Sequence, residues 1–312
     1  MFVTWPLLVA LGLGVFLIGT VVGSFLNVCI YRVPWQKSVI WPASRCPICY
    51  HDIAARDNIP VISWIALRGE CRSCGARISI RYLLVESLVG ILFLAAFLID
   101  LFAGPRGPWG QVSPFRLAVT AYHDILIALL VAATFIDYDL MIIPDAITRT
   151  GWILGIGLGT LWPQIRPAPS DAATHLGGFG IGLLGALVGA GLTQGCRLSF
   201  GFILRREAMG DGDVTLMGMI GAFLGWQAAV LTFFIAPFFG LGHAAWKLLQ
   251  LIRKWLSGDQ LSGSDRELPY GPYLSMAAVS VLLAWPWLWQ NWAKALFHTL
   301  HMLFWWLLGI NV

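Results

Sequence analysis

Long apolar runs separated by short polar connections set the pattern of this chain, and one polar segment of about fifty residues interrupts it early. Apolar runs are read at 6–31, 82–102, 117–136, 140–162, 175–195, 214–224, 227–251 and 272–289. All but the sixth are long enough to cross about 30 Å of hydrocarbon. The run at 214–224 reads as a half-helix or a tilted one, and the stretch 295–310 as either a ninth span or a helix lying in the interface. The pattern predicts an all-α polytopic membrane protein of about eight transmembrane helices, with segment 32–81 inserted between the first two. The first run carries neither a basic region before it nor a small-residue cleavage site, so it reads as a retained helix. Glycines at small-xxx-small spacing in the fifth run, Gly178 and Gly182 with Gly185 and Gly189, read as helix packing.

Composition agrees: 58% of the 312 residues are hydrophobic and 12% are charged, outside the range of soluble domains. Charge placement then adds an orientation, because cytoplasmic loops hold the excess of Lys and Arg. Segment 32–81 holds eight of the twenty basic residues. With that segment inside and the N-terminus outside, the alternating loops place sixteen basic residues inside and three outside, leaving Lys294 unassigned. The net charge of +4 is thereby explained with no nucleic acid partner. Tryptophans at 285, 287, 289, 292, 305 and 306 read as an interfacial belt.

Four cysteines change the reading of the inserted segment. "CPIC" (Cys46, Cys49) and "CRSC" (Cys71, Cys74) are separated by twenty-one residues. Two such knuckles aim four thiolates at one tetrahedral ion, the pattern of a zinc ribbon. The competing readings are two disulfides or four unrelated thiols, and a reducing cytoplasmic compartment speaks against disulfides. Four protein ligands close the coordination sphere, which makes the expected zinc structural. Cys29 and Cys196 have no partner spacing and read as small hydrophobes.

Carboxylates beside spans are costly and therefore functional candidates. They are Glu86, Asp124, the group Asp137, Asp139 and Asp145 in "FIDYDLMIIPD", and Asp211 and Asp213 in "GDGD". On the eight-span topology two crossings separate Asp137 from Asp213, which returns both to the cytoplasmic side. Asp124 lies thirteen residues from Asp137, roughly 20 Å along a helix, toward the other face. Two carboxylates at one depth suit a shared-proton dyad that activates water, a divalent cation site or a proton relay. Gly210 and Gly212 favour the first, since bare glycines let an extended peptide lie against the main chain. The bland alternative is a loop entering a helix with Asp213 as its N-cap. A transporter with a carboxylate relay and a regulatory zinc ribbon is the competing functional class, but the paired half-repeats expected of one are not seen.

In order along the chain, "GSFLNVCIYRVP", the two CxxC knuckles, "DNIPVISWIALRGECRSCGARISIRYLLVE", "FIDYDLMIIPD", "EAMGDGDVTLMGMIGAFLGW" and "LPYGPYLS" resemble the bacterial prepilin peptidases, or type IV leader peptidases. These are membrane aspartyl proteases of the GxGD type. The resemblance implies that Asp213 and Asp137 are the catalytic aspartates; Asp139, by its proximity to the same face, is the reserve candidate. It implies removal of the basic leader of type IV prepilins and pseudopilins after a glycine, at the cytoplasmic face of the bacterial inner membrane. Many members then methylate the new N-terminal amine, usually of phenylalanine, with S-adenosylmethionine, and others keep the peptidase alone.

The domain reading that follows is a first helix plus a zinc-binding, methyltransferase-associated region over 1–81, a peptidase domain over 82–290, and a Trp-rich tail over 291–312 beyond the resemblance. Where many members carry Lys two places after the catalytic Asp, this chain has Thr215. Asp211, between the glycines, is a third acid beside the pair, and Asp139, Asp145 and Glu207 are candidates for steering a basic leader.

Overall fold

The computed structural model describes residues 4–103, 111–167, 174–205, 209–257 and 269–307. Among the described residues ten α-helices follow one another: α1 Trp5–Arg32, α2 Ile62–Ala66, α3 Ile80–Phe102, α4 Pro114–Leu140, α5 Asp145–Leu161, α6 His175–Leu204, α7 Asp211–Leu224, α8 Trp226–Ser257, α9 Gly271–Leu288 and α10 Lys294–Leu307. Among the described residues the only β pairing is two isolated bridges in the inserted segment.

Local chemistry places the helix ends. Ser113 accepts the Arg116 N–H at 3.2 Å ahead of Pro114, which has no amide hydrogen to lose at the first helical position. Thr174 caps α6 in the same way through the Gly177 N–H. Met141 closes α4 with a left-handed conformation, φ 55°, and its N–H returns to the Asp137 carbonyl. Pro144 then keeps its predecessor out of helical angles, so α5 begins at Asp145.

That turn corrects the fourth sequence-read span. Of 140–162, α5 keeps 17 residues. Among the described residues six helices are long and apolar enough to cross a membrane by length and composition, against the eight read from sequence; α5 and α7, of 17 and 14 residues, are the two that fall short. The runs at 272–289 and 295–310 join into one helical stretch, Gly271–Leu307, through a π-helical turn at Trp289–Ala293. Residues 308–310 of the second run lie outside the described residues.

The chain forms two compact units, one of residues 1–102 and 108–150 and the other of 103–107 and 151–312. In the first, α1, α3 and α4 pack together. Glycine makes the approach of α1 to α3 possible: a Cβ on Gly19 would stand 2.8 Å from the Gly90 Cα, and one on Gly23 2.7 Å from the Glu86 Cα.

In the second unit the glycine stripe of α6 does what its spacing predicts. Gly185 meets the Gly221 carbonyl and Gly189 the Met217 carbonyl, both on α7. Gly178 and Gly182 make room for Pro163 and for Arg166. Arg166, counted from the sequence among the outside loop residues, is 3% exposed. Its guanidinium donates to the carbonyls of Gly155 (3.1 Å) and Gly159 (2.9 Å) on α5, Gly178 (2.7 Å) on α6 and Ala222 (3.3 Å) on α7. Four charge-assisted bonds satisfy a donor that apolar surroundings could not otherwise hold.

A Cβ at Gly221 would lie 2.0 Å from the Gly185 carbonyl oxygen, which is backbone and cannot rotate away. Gly221→Ala should therefore push α6 off α7 and cost about 1–3 kcal/mol. Gly191→Ala on α6, where nothing lies within 4 Å, should change little or gain from helix propensity. Thermal unfolding in detergent would compare the two; equal stability would remove the close-packing account.

Candidate functional site

The inserted segment folds as two copies of one small turn. In the first, the Cys46 N–H donates to the His51 carbonyl, the Tyr50 N–H to the Cys46 carbonyl and the Ile53 N–H to the Ser44 carbonyl. In the second, Cys71 to Ala76, Gly75 to Cys71 and Ile78 to Gly69 repeat the pattern. Each needs a left-handed residue just after its second cysteine, and Tyr50 (φ 56°) and Gly75 (φ 70°) supply it. The result brings the sulfurs of Cys46, Cys49, Cys71 and Cys74 within 4.8 Å of one another, with Cys46 and Cys74 at 3.8 Å. All six cysteines are free. Amides of Cys49 and Ile48 donate to the Cys46 sulfur and bring its thiol down to about 6, the anionic form that a metal takes. Four thiolate donors in this spacing fit a metal ion.

Ion pairs tie the module together. Arg72 holds both oxygens of Asp57 at 2.7–3.0 Å, and this hydrogen bonding keeps the Asp57 carboxyl below its ordinary value. Trp64 donates its indole N–H to the Ile78 carbonyl and lies over Gly69, whose φ of 71° and missing Cβ are both required there.

The module reaches the helices through a strained turn. The Ile62 N–H donates to the Pro60 carbonyl at 2.6 Å across Val61, whose φ of 63° and ψ of −54° make a γ-turn of the rare, positive-φ form. A β-branched residue in that conformation costs on the order of 1–3 kcal/mol and persists only where its surroundings enforce it. The enforcing group is Glu86, in the second turn of α3: its Oε2 accepts the Val61 N–H at 2.7 Å. Glu86 is buried and also hydrogen-bonds Ser24 of α1. Alongside, Asn27 donates to the Tyr82 carbonyl, and Ser63 accepts the Ile59 N–H while donating to the Arg56 carbonyl. The sequence singled out Glu86 as a carboxylate beside a span, but nothing in it announces the turn that Glu86 holds.

Of the acids near the two sequence-predicted aspartates, three are engaged by arginines. Asp139 pairs with Arg81 at 2.6 Å, and Arg81 also donates to the Phe135 carbonyl and stacks 5.1 Å over the Phe135 ring, fastening the start of α3 to the end of α4. Asp145 pairs with Arg149 one turn along α5, and Asp211 with Arg197 of α6. Glu207 lies outside the described residues. Asp124 sits at the far end of α4, where Asp100 joins Thr120 and His123 in a separate buried group.

Asp137 and Asp213 are the buried members of the set, at 6% and 7% exposure. Asp137 belongs to the last turn of α4 in the first unit, and Asp213 to the first turn of α7 in the second. Gly210, not Asp213, is the N-cap of α7; Asp213 stands at the third helical position and its Oδ2 accepts the Gly210 N–H at 3.2 Å. Carboxylates are favoured in a first helical turn, because unpaired amides there carry partial positive charge. Gly210 has ordinary extended angles, φ −76° and ψ 158°, so what it contributes is bareness beside Asp213 rather than a special backbone conformation. The hydroxyl of Thr215 turns back to the Gly212 carbonyl, and its own carbonyl accepts the Trp152 indole N–H at 2.9 Å. Tyr270, at the entrance to α9, also faces this group: burial, and then the charge of Asp213, push its phenol up to about 12. The signal for it lay in "LPYGPYLS", which gave no reason to choose that tyrosine.

Comparison with known proteins divides the chain along these features. Residues 17–99 match the Bacterial Peptidase A24 N-terminal domain, and residues 125–245 match the Type IV leader peptidase family. A "Prepilin leader peptidase/N-methyltransferase" of Myxococcus xanthus (strain DK1622) is 33% identical over 88% of this chain and 90% of its own length. The protein of the same name from Aeromonas hydrophila is 34% identical over 86% and 89%. A "Type 4 prepilin-like proteins leader peptide-processing enzyme" of Escherichia coli O78:H11 is 35% identical over 85% and 90%. No solved structure matches the chain significantly.

Proposed function

The chain belongs to the type IV leader peptidase family, and on that premise we propose that it cleaves the leaders of type IV prepilins and pseudopilins after a glycine and methylates the new N-terminus. The observation that carries the peptidase half is the burial of two carboxylates, Asp137 and Asp213, inside the stretch that matches the peptidase family. In the proposed mechanism Asp137 and Asp213 act as a dyad that shares one proton, since two carboxylates serving one site cannot both ionise cheaply. The ionised member takes a proton from water as the water attacks the glycyl carbonyl. The neutral member donates to the carbonyl oxygen and stabilises the charge that develops. Gly210 and Gly212 give the substrate main chain access beside Asp213, and its apparent titration belongs to the pair.

The eight-run reading of the sequence supports the pairing: it counts 140–162 and 175–195 both as crossings, which returns Asp137 and Asp213 to one side. The excess of Lys and Arg in 32–81 makes that side the cytoplasm and sets the N-terminus in the periplasm of a bacterial inner-membrane protein. Methyl transfer is assigned to the N-terminal region with the cysteine module, as the resemblance implies, within the stretch 17–99 that matches the N-terminal domain. There Cys46, Cys49, Cys71 and Cys74 would hold a structural zinc ion: a Zn–S bond of about 2.3 Å in a tetrahedron sets sulfurs about 3.8 Å apart, the separation of Cys46 from Cys74. S-adenosylmethionine would supply the methyl group.

Incubating membranes with a prepilin and methyl-labelled S-adenosylmethionine scores the two reactions separately. Leader loss together with label on the product is the expected result. Leader loss without label would leave a peptidase alone, and neither reaction would return the carboxylates to a transporter reading.

A further inference from the structure

We propose that Glu86 receives the amine to be methylated, and that the strained turn at Val61 holds its carboxylate in readiness for that exchange. The inference rests on the methyltransferase reading given above. Among the described residues of the N-terminal family match, Glu86 is the buried carboxylate at the module's end of the helices; Asp57 is committed to Arg72, and Asp52 to Arg45. Its partners, the Val61 amide and the Ser24 hydroxyl, are neutral. A carboxylate buried against an apolar bundle gains more from an ammonium than from such donors. The Val61 amide is also unusually easy to displace, because releasing it lets Val61 leave its strained conformation. Ile59, Ile62 and Ile65, all well exposed, border the turn and offer apolar contact to the side chain that accompanies the amine.

The proton account follows from the ordinary acidity of an N-terminal amine, near 8, which leaves it an ammonium at neutral pH. One N–H proton passes to the Glu86 carboxylate. The freed lone pair forms the new N–C bond to the methyl carbon of a sulfonium donor, while the S–C bond breaks and leaves its electron pair on a thioether sulfur. Glu86 then yields its proton to water. Titratable or charged groups near this end of the packed helices are Cys29, Tyr31 and Arg32 on α1, and Asp137, Tyr138 and Asp139 on α4, the last paired with Arg81.

Glu86→Gln keeps an oxygen for the Val61 amide but cannot carry a charge or take a proton. The probes are two apolar peptides that begin with phenylalanine, one with a free amine and one acetylated, offered to the full-length protein in detergent. The parent should bind the free amine at least about tenfold more tightly than the acetylated form, and Glu86→Gln should lose that preference. Val61→Gly, which relieves the closed turn, should weaken binding of the free amine about fivefold. Methyl transfer at pH 7 should fall about a hundredfold in Glu86→Gln, and the deficit should shrink as pH passes about 8 and the amine loses its proton unaided. A merely structural Glu86 would give a deficit independent of pH and an unchanged preference between the peptides, and either result overturns the proposal. Retained leader cleavage reports that the variants are folded. A parent that transfers no methyl would overturn the methyltransferase reading instead, and the binding comparison would then decide Glu86 by itself.

Discussion

Asp137→Asn and Asp213→Asn are each expected to lower leader cleavage by about a thousandfold while the protein remains inserted at normal abundance. The magnitude follows from the loss of acid–base catalysis, worth about 10²–10⁴ for one positioned group, since an asparagine can neither hold nor release the shared proton. Asp139→Asn and Asp211→Asn should stay within about tenfold, because those carboxylates are bound by Arg81 and Arg197. Rates on a purified prepilin in detergent would make the comparison. Cleavage within tenfold of the parent in either buried-aspartate variant would sink the dyad, and collapse of activity in Asp139→Asn alone would move the role two residues along the helix.

The second large effect concerns the cysteine module. Its described core is two turns, two bridges and a few ion pairs, with little apolar burial to support them. In such a module metal binding supplies the folding free energy, on the order of 10 kcal/mol for four-thiolate sites. Replacing Cys46 and Cys71 together by serine should reduce zinc from about one ion per chain to background. The segment should become open to trypsin at Arg56 and Arg68, both exposed. Methyl transfer should disappear with the fold of the module, whereas cleavage should stay within about tenfold. Metal analysis with limited proteolysis reads the first two outcomes, and a zinc-free chain with an intact, protease-resistant module would contradict the argument.

The membrane helices were legible because a bilayer demands long apolar runs, and the cysteine cluster because CxxC fixes local geometry by itself. Lengths were read less well where an apolar run hid a stop. Residues 140–144 are apolar enough to look like helix, yet a left-handed Met141 and Pro144 end one helix and delay the next. The aspartates announced themselves as charges beside spans, but their sorting did not, since it depends on which arginine each meets: Arg81 is fifty-eight positions from Asp139, and Arg197 fourteen from Asp211. Val61 was the least legible residue of all. Propensity argues against a β-branched side chain at positive φ, and only the buried Glu86 across the turn explains it.

Arg166 bears on how the protein is made as well as on how it is held. The ribosome delivers α5 and Arg166 before α6 and α7, so at that moment the guanidinium can meet the Gly155 and Gly159 carbonyls of the preceding helix but not those of the later ones. Its remaining acceptors, on Gly178 and Ala222, arrive later in synthesis. A 17-residue helix with a permanent charge at its edge is a poor independent guest of the insertion machinery. The biogenesis this implies is cooperative: α5 settles into the bilayer together with the helices that complete its charge, and a chain truncated after α5 should be rejected by the membrane and handed to quality control.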